Sequence, residues 1–386
     1  MTGTADIQGI LDRRLSELVE SGIEIGAQVC VYKDGKQIAD CSAGLADRDT
    51  GRRVDGDTLF NVFSVSKAVA ATAVHIQADR GLIEYDAPIA RYWPEFGANG
   101  KEKATIRHAL THRSGVPQMP EGVTPEQMCD WDWMTGQIAA ARPIAEPGTK
   151  ALYQAMTFGW LVGEVVRRTD PKGRPFNQFI REEIALPLGA PDLWFGVPDS
   201  ELGRVAPMYD YRPTSDPATR PALSLAAMPP QVDLVPAVFE RPDVRAAVVA
   251  AVGGVFSARS EARFWAMLAG GGQLDGVRLL SEPLARSLNT PRPHSEEPDV
   301  VMYGIPLPLS IGGYWLGANR PAVWAVGSPT SICHPGAGGS LGWADQENDV
   351  AVAICHNRLV QGLPKEEDGT YLIGSAINQA LGLAAY

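Results

Sequence analysis

The sequence predicts an α/β fold of the α+β kind: a central antiparallel sheet flanked by helices, built from both chain ends, with a mostly helical domain inserted between them. Three observations predict it. A helix and a strand hairpin open the chain, strand patterns return only in the last third, and the middle reads as helices and proline-rich loops. At 386 residues the chain is long enough for two lobes around a shared core.

The elements follow in order. Ile7, Leu11, Leu15 and Leu18 recur at helical spacing and predict an opening amphipathic helix. Ala27 to Tyr32 reads as a strand, Lys33-Asp34-Gly35-Lys36 as a hairpin turn, and residues 37–41 as the returning partner. Residues 65–80, rich in small apolar side chains, predict a buried helix stopped by Gly81. Helical pieces are expected at 104–112, 133–141, 155–168 and 175–185. Residues 198–242 carry nine prolines, including Pro229-Pro230, so regular structure there must be short. That stretch either roofs a pocket or packs irregularly on the surface. A helix over 257–269 ends at Gly270-Gly271-Gly272. Strands are predicted at 329–334, 340–344 and 350–356, with Asp345 to Asn348 turning between the last two, and a closing helix spans about 370–381. This order assigns residues 1–80 and 301–386 to the sheet domain and 81–300 to the helical domain. A site is expected in the cleft between them.

Composition narrows the function classes. A net charge of −11 without any Lys/Arg cluster argues against a nucleic-acid partner. Five cysteines without C-x-x-C spacing read as reduced thiols, neither a disulfide framework nor a zinc site. The first residues, Met1 to Ile7, have no basic segment followed by an apolar one, and no window approaches a membrane span. A cytoplasmic location without membrane contact is the expectation.

The candidate chemistry begins at Ser64-Val65-Ser66-Lys67. A serine hydroxyl needs a neighbouring group to take its proton. A Lys three positions on shares its helix face and reaches back to the hydroxyl. It serves as a base if desolvation or nearby positive charge frees its amine. A Ser at the first turn also sets backbone N–H groups beside a developing oxyanion. Taken alone, this tetrapeptide reads more readily as a serine helix cap. Tyr153, on the loop before 155–168, is a second candidate. Near a Lys ammonium its phenol could be acidified into a base or relay, and alone it fits an ordinary packing tyrosine too. His334-Pro335-Gly336-Ala337-Gly338-Gly339 is a glycine-rich run that lets a substrate approach closely and offers free N–H groups, or else simply bends the chain.

Two patterns are decoys. Gly338-Gly339-Ser340-Leu341-Gly342 matches G-x-S-x-G, but a strand instead of a helix is expected after Ser340. His108 and His112 stand at i and i+4 without the Glu or further ligands of a metal site, so no metal is assigned and a structural role is expected. His75 and His356 lie in apolar runs and read as hydrogen-bonded core histidines.

Together the motifs resemble the serine β-lactamase and penicillin-binding-protein superfamily, specifically its class C β-lactamase-like branch with the family VIII carboxylesterases. The resemblance runs from Gly26 to Asn357. It rests on Leu59 to Lys67, Leu110-Thr111-His112-Arg113-Ser114-Gly115, Pro147-Gly148 with Tyr153, Gly253 to Ser257, and His334-Pro335-Gly336. It implies that Ser64 is the acylated nucleophile and Lys67 its proton acceptor or electrostatic partner. Tyr153 is then the base or relay to the leaving group, and the N–H groups of Ser64 and Ala337 form the oxyanion hole. His334 and Gly336 would line the substrate. Two departures separate the chain from β-lactamases and D-alanyl-D-alanine peptidases: Ala155 replaces the Asn of Tyr-x-Asn, and His334-Pro335-Gly336 replaces Lys-Thr-Gly, whose cation attracts a carboxylate. His334 is expected to donate to Tyr153 or carry partial charge near its pKa.

The resemblance therefore implies a serine carboxylesterase acting on a small-molecule ester through an acyl-enzyme on Ser64, with no cofactor. Trp131, Trp133, Trp315 and Trp324 are candidates for the cleft wall. The alternatives are an acyltransferase using the same acyl-enzyme, a β-lactamase or D-amino-acid peptidase, and a non-catalytic binding protein on the same scaffold. Neither the physiological ester nor the oligomeric state is legible.

Overall fold

The computed structural model describes residues 6–210, 219–360 and 362–384. Helix α1 (Ile7–Glu20) starts at Asp6, whose side chain accepts the Gly9 amide, and it buries Ile7, Leu11, Leu15 and Leu18 as the spacing predicts. Burying such a side chain is worth roughly 1.5–3 kcal/mol, so this face holds the helix more than its propensity does. Strands β1 (Gly26–Lys33) and β2 (Lys36–Gly44) are joined by Asp34 and Gly35 at φ 50° and 69°. Two successive left-handed residues are what a tight hairpin turn requires.

The chain then leaves this sheet. Strand β3 (Phe60–Phe63) leads into helix α2 (Ser66–Asp79), which is buried from Ser66 to Gln77. The helical region contributes α3 (Ile106–Leu110), α4 (Trp131–Ala140) and α5 (Thr157–Thr169). The predicted helix 175–185 is an α-helical piece, Phe176–Ile180, continued by one π turn, Arg181–Ala185. Strands β4 (Leu193–Phe195) and β5 (Gly254–Phe256) precede helix α6 (Ala258–Ala269). Among its described residues the proline-rich stretch holds only short helical turns, several starting at a proline; residues 211–218 lie outside the described residues.

The last third returns to the first sheet with β6 (Trp315–Leu316), β7 (Ile332–Pro335), β8 (Leu341–Asp345) and β9 (Val350–His356), followed by α7 (Gly369–Leu381). The six strands run in the order β6-β7-β8-β9-β1-β2, every pair antiparallel. Both chain ends therefore build one sheet, as predicted, and the seam is β1 against β9, with Val31 opposite Val352. Between β8 and β9 the Asp345 carboxylate accepts the amides of Glu347 and Asn348 and closes the expected turn. Helix α6 packs on β1, β8 and β9, whereas α1 packs on β2 and α7. Helix α2, in turn, packs on α5. Helix α2, before the expected boundary at residue 80, thus packs on a helix of the middle region, and α6, before the expected boundary at residue 300, packs on the sheet.

The sequence reading has no counterpart for a second sheet, β3-β5-β4. Its strands are three or four residues long and almost wholly buried, so the apolar/polar alternation that marks a half-exposed strand is missing.

Candidate active site

The nucleophile candidate sits where β3 turns into α2. Phe63, just before Ser64, has φ 44°, a left-handed conformation costly for a bulky side chain. Neighbours hold it there. The Asn61 side chain accepts the Phe63 amide at 3.0 Å, and the Ser66 hydroxyl donates to the Phe63 carbonyl while accepting the Gly254 amide at 2.9 Å. Only glycine fits at 254, because a Cβ there would lie 2.5 Å from Ser66 Oγ. The strained corner sets Ser64 at the head of the helix.

Lys67 is fully buried one turn later, with Nζ 3.0 Å from Ser64 Oγ. The same nitrogen donates to the Ala155 carbonyl at 2.7 Å and the Ala251 carbonyl at 3.2 Å. Burial alone pushes its pKa well below the ordinary lysine value. Nζ also lies 5.3 Å from the centre of the Tyr153 ring. Tyr153 hydrogen-bonds Ser64, yet burial, helped by Asp299, pushes the phenol above its usual range. The sequence expectation of an acidified Tyr153 is thereby corrected. Burial disfavours both charged forms, so it moves the amine down and the phenol up.

The loop carrying Tyr153 has little secondary structure of its own, and its backbone donors go elsewhere. The Ala151 amide donates to Glu297 Oε1 at 3.2 Å, and the Leu152 amide to the His112 carbonyl at 2.9 Å. The Tyr153 amide bonds the Asp299 carboxylate, and the Gln154 amide donates to His112 Nδ1 at 3.0 Å. Arg113 ties the start of the loop, donating twice to the Gly148 carbonyl and pairing with Glu297. His112, Glu297 and Asp299 are absent from the sequence-derived site. The signals for any of them, the Leu110 to Gly115 motif and the His108/His112 pair, both fell on His112.

The glycine-rich corner after β7 closes on itself. The Gly336 amide donates to the Ser340 carbonyl at 2.7 Å and Gly339 to the Gly336 carbonyl at 3.1 Å. A Cβ on Gly336 would sit 2.3 Å from the Val62 carbonyl, so this backbone lies directly on β3, two residues from Ser64. Among the described residues neither the Ser64 nor the Ala337 amide donates to another backbone group.

His334, fully buried on β7, donates from Nδ1 to the Pro335 carbonyl at 2.9 Å. Burial, with Lys67 nearby, pushes its pKa down to about 3. It is therefore a neutral ring at physiological pH, and no bond from it to Tyr153 is formed among the described residues, contrary to the expectation above. Trp315 packs edge-on against Tyr153 at 6.5 Å and beside His334 at 6.0 Å. The other tryptophan candidates are placed differently. Trp131 stacks on Phe176 and donates to Glu164, Trp133 lies on the same helix α4, and Trp324 packs against Tyr371.

Ser340 is followed by a strand, and His356 pairs with Glu24 at 3.0 Å, so no nucleophile elbow forms there. His108 accepts the Thr105 amide and His112 the Gln154 amide, each ring closing a separate backbone bond. His75 bonds Tyr85 and the Gly312 carbonyl inside the core. The five cysteines are unpaired, and among the described residues no helix is long and apolar enough to cross a membrane.

Comparison with known proteins gives concordant results. The beta-lactamase family profile matches residues 11–375. The esterase/beta-lactamase LipL of Mycobacterium tuberculosis is 35% identical over 356 residues, spanning 88% of this chain and 78% of LipL. Among solved structures, a family VIII carboxylesterase superposes with a TM-score of 0.87 at 31% identity, covering 97% of both chains. A penicillin-binding protein homologue from Caulobacter crescentus superposes at 0.84 with 30% identity, covering 98% of this chain and 99% of its own.

Proposed function

The chain belongs to the beta-lactamase family of serine hydrolases, and from that membership and the site geometry we propose that it is a carboxylesterase working through an acyl-enzyme on Ser64. The observation that carries the proposal is the buried Lys67 amine 3.0 Å from the Ser64 hydroxyl. With its two hydrogens on the carbonyls of Ala155 and Ala251, a neutral amine turns its lone pair toward Ser64.

Ser64 Oγ attacks the ester carbonyl carbon as its proton passes to Lys67, and the amides of Ser64 and Ala337 receive the oxyanion. Collapse expels the alcohol oxygen, which takes the Tyr153 proton. The Lys67 ammonium returns a proton to Tyr153, and the acyl group stays on Ser64 until water attacks it. A phenol held above its usual pKa suits this relay better than the role of first base. Esters are favoured over β-lactams and peptide C-termini because the neutral, buried His334 offers no cation to a substrate carboxylate. An alcohol reaching the same acyl-enzyme would make the protein an acyltransferase.

A fluorophosphonate probe with peptide mapping tests the assignment. The expected adduct is on Ser64, with p-nitrophenyl acetate turned over faster than nitrocefin. An adduct on Ser340, or none, overturns it.

A further inference from the structure

The mechanism above uses no residue of the family motif Leu110 to Gly115, yet the contacts of one of them, His112, converge on Tyr153. His112 has φ 57°, and this left-handed backbone lets its carbonyl and its ring reach the same strand of chain. The carbonyl takes the Leu152 amide at 2.9 Å, and Nδ1 takes the Gln154 amide at 3.0 Å. The two bonds bracket Tyr153 on either side. The imidazole also lies against the Tyr153 ring, centroids 4.5 Å apart, and is backed by Phe158 at 5.0 Å.

An Nδ1 that accepts an amide proton must be unprotonated, which fixes the Nε2–H tautomer. Burial, with Lys67 and Arg292 nearby, keeps the ring neutral. The charged or titratable groups around it are Lys67, Arg292, His334 and the Tyr153 phenol, and none of them is a carboxylate that could stabilise an imidazolium.

We propose that His112 is a positioning residue for Tyr153: a neutral imidazole that grips the backbone on both sides of the phenol and sets its distance to Ser64. This rests on the esterase reading for its catalytic consequence, and on the two backbone bonds for its structure.

Two substitutions separate the acceptor from the ring. His112→Asn tolerates positive φ and keeps an oxygen acceptor in place of Nδ1, so kcat on p-nitrophenyl acetate should stay within about threefold of wild type. His112→Phe keeps the aromatic contact but strands the Gln154 amide, and kcat should fall about 10–100-fold with KM little changed. Hydrogen exchange of the peptide covering residues 151–156 should quicken in His112→Phe and not in His112→Asn. In wild-type protein labelled with 15N-histidine, His112 should stay in the Nε2–H form from pH 5 to 9, a measurement that needs no variant to fold. A folded His112→Phe with native kcat and native exchange would overturn the proposal, as would equal losses in both variants or an Nδ1–H signal. If wild-type protein hydrolyses no ester, the esterase reading fails while the exchange and 15N results still decide the grip.

Discussion

Lys67 and Tyr153 both address Ser64, yet the protein places them by opposite means. Lys67 arrives by local geometry, one helical turn beyond Ser64 on a buried helix. Tyr153 arrives by tertiary geometry, on a loop whose successive amides are taken by His112, Glu297 and Asp299. A helix fixes a side chain through its own backbone bonds, so the Lys67 half needs only α2 to form and be buried. The loop half depends on segments that are remote in sequence, and each of them is a separate point of failure. Precision in the second region is bought with contacts that leave no pattern in the sequence.

The strongest way to break the comparison is to remove the reacting groups themselves. Ser64→Ala should abolish turnover, whereas Lys67→Ala and Tyr153→Phe should each lower kcat by about 10³–10⁵-fold. The double variant should lose no more than the worse single one, since residues that act as a unit do not add. Steady-state kinetics on one activated ester decides it, and additive losses would mean that the two halves act independently.

A smaller effect probes the loop half alone. Glu297→Ala removes the partner of Arg113 and the acceptor of the amide of Ala151, which lies two residues upstream of Tyr153. The expected fall in kcat is about 3–10-fold, below that of His112→Phe, because the bonds flanking the phenol remain. A loss larger than that of His112→Phe would shift the main point of support to the 297–299 segment.

The smallest catalytic effect belongs to a control in neither region. Glu261 on α6 is buried, with its carboxyl bonded to Trp265 at 3.0 Å and Cys355 at 3.3 Å, and burial pushes its pKa up to about 7. An acid whose folded pKa is raised binds more protons in the folded state, so stability falls as pH rises from the unfolded value toward 7. The loss amounts to roughly 3 kcal/mol across that window. Thermal unfolding between pH 4.5 and 8 should show this slope in wild type and a flatter one in Glu261→Gln, with kcat unchanged. A matching change in kcat would show that sheet packing and site geometry are coupled.

The same division explains what was legible in advance. Ser64 and Lys67 stand out in the sequence through their spacing only together with the other motifs of the resemblance, and the long helices through period, whereas the short edge strand β6 was not read at all. The sheet from both chain ends followed from where strand patterns occur. The β3-β5-β4 sheet stayed hidden because short buried strands lack alternation, although β3 carries the strained Phe63 that aims Ser64. His112 was visible as part of a motif, but its task was not, since the two amides it binds lie about forty residues away. Asp299 and Glu297 gave no sign at all. Their value is as acceptors for a distant loop, and any carboxylate in a proline-containing turn looks the same. The electrostatics of Tyr153 and His334 were misjudged for one reason: spacing shows which groups are neighbours but not how dry their surroundings are.

The pairing of β1 with β9 bears on how the protein is made. A ribosome delivers the N-terminal hairpin first and its sheet partner almost last, so β1 waits with an unpaired apolar edge through most of synthesis. During that wait Ser64, Lys67 and Tyr153 have all emerged, but Ala337 and its glycine corner have not. Biosynthesis thus withholds the proposed oxyanion site until the closing strands arrive, and the nascent chain carries its proposed nucleophile without it. The cost is an apolar edge left open until β9 arrives, the kind of unpaired strand that invites aggregation, and completion of the sheet, rather than formation of helix α2, is what closes it.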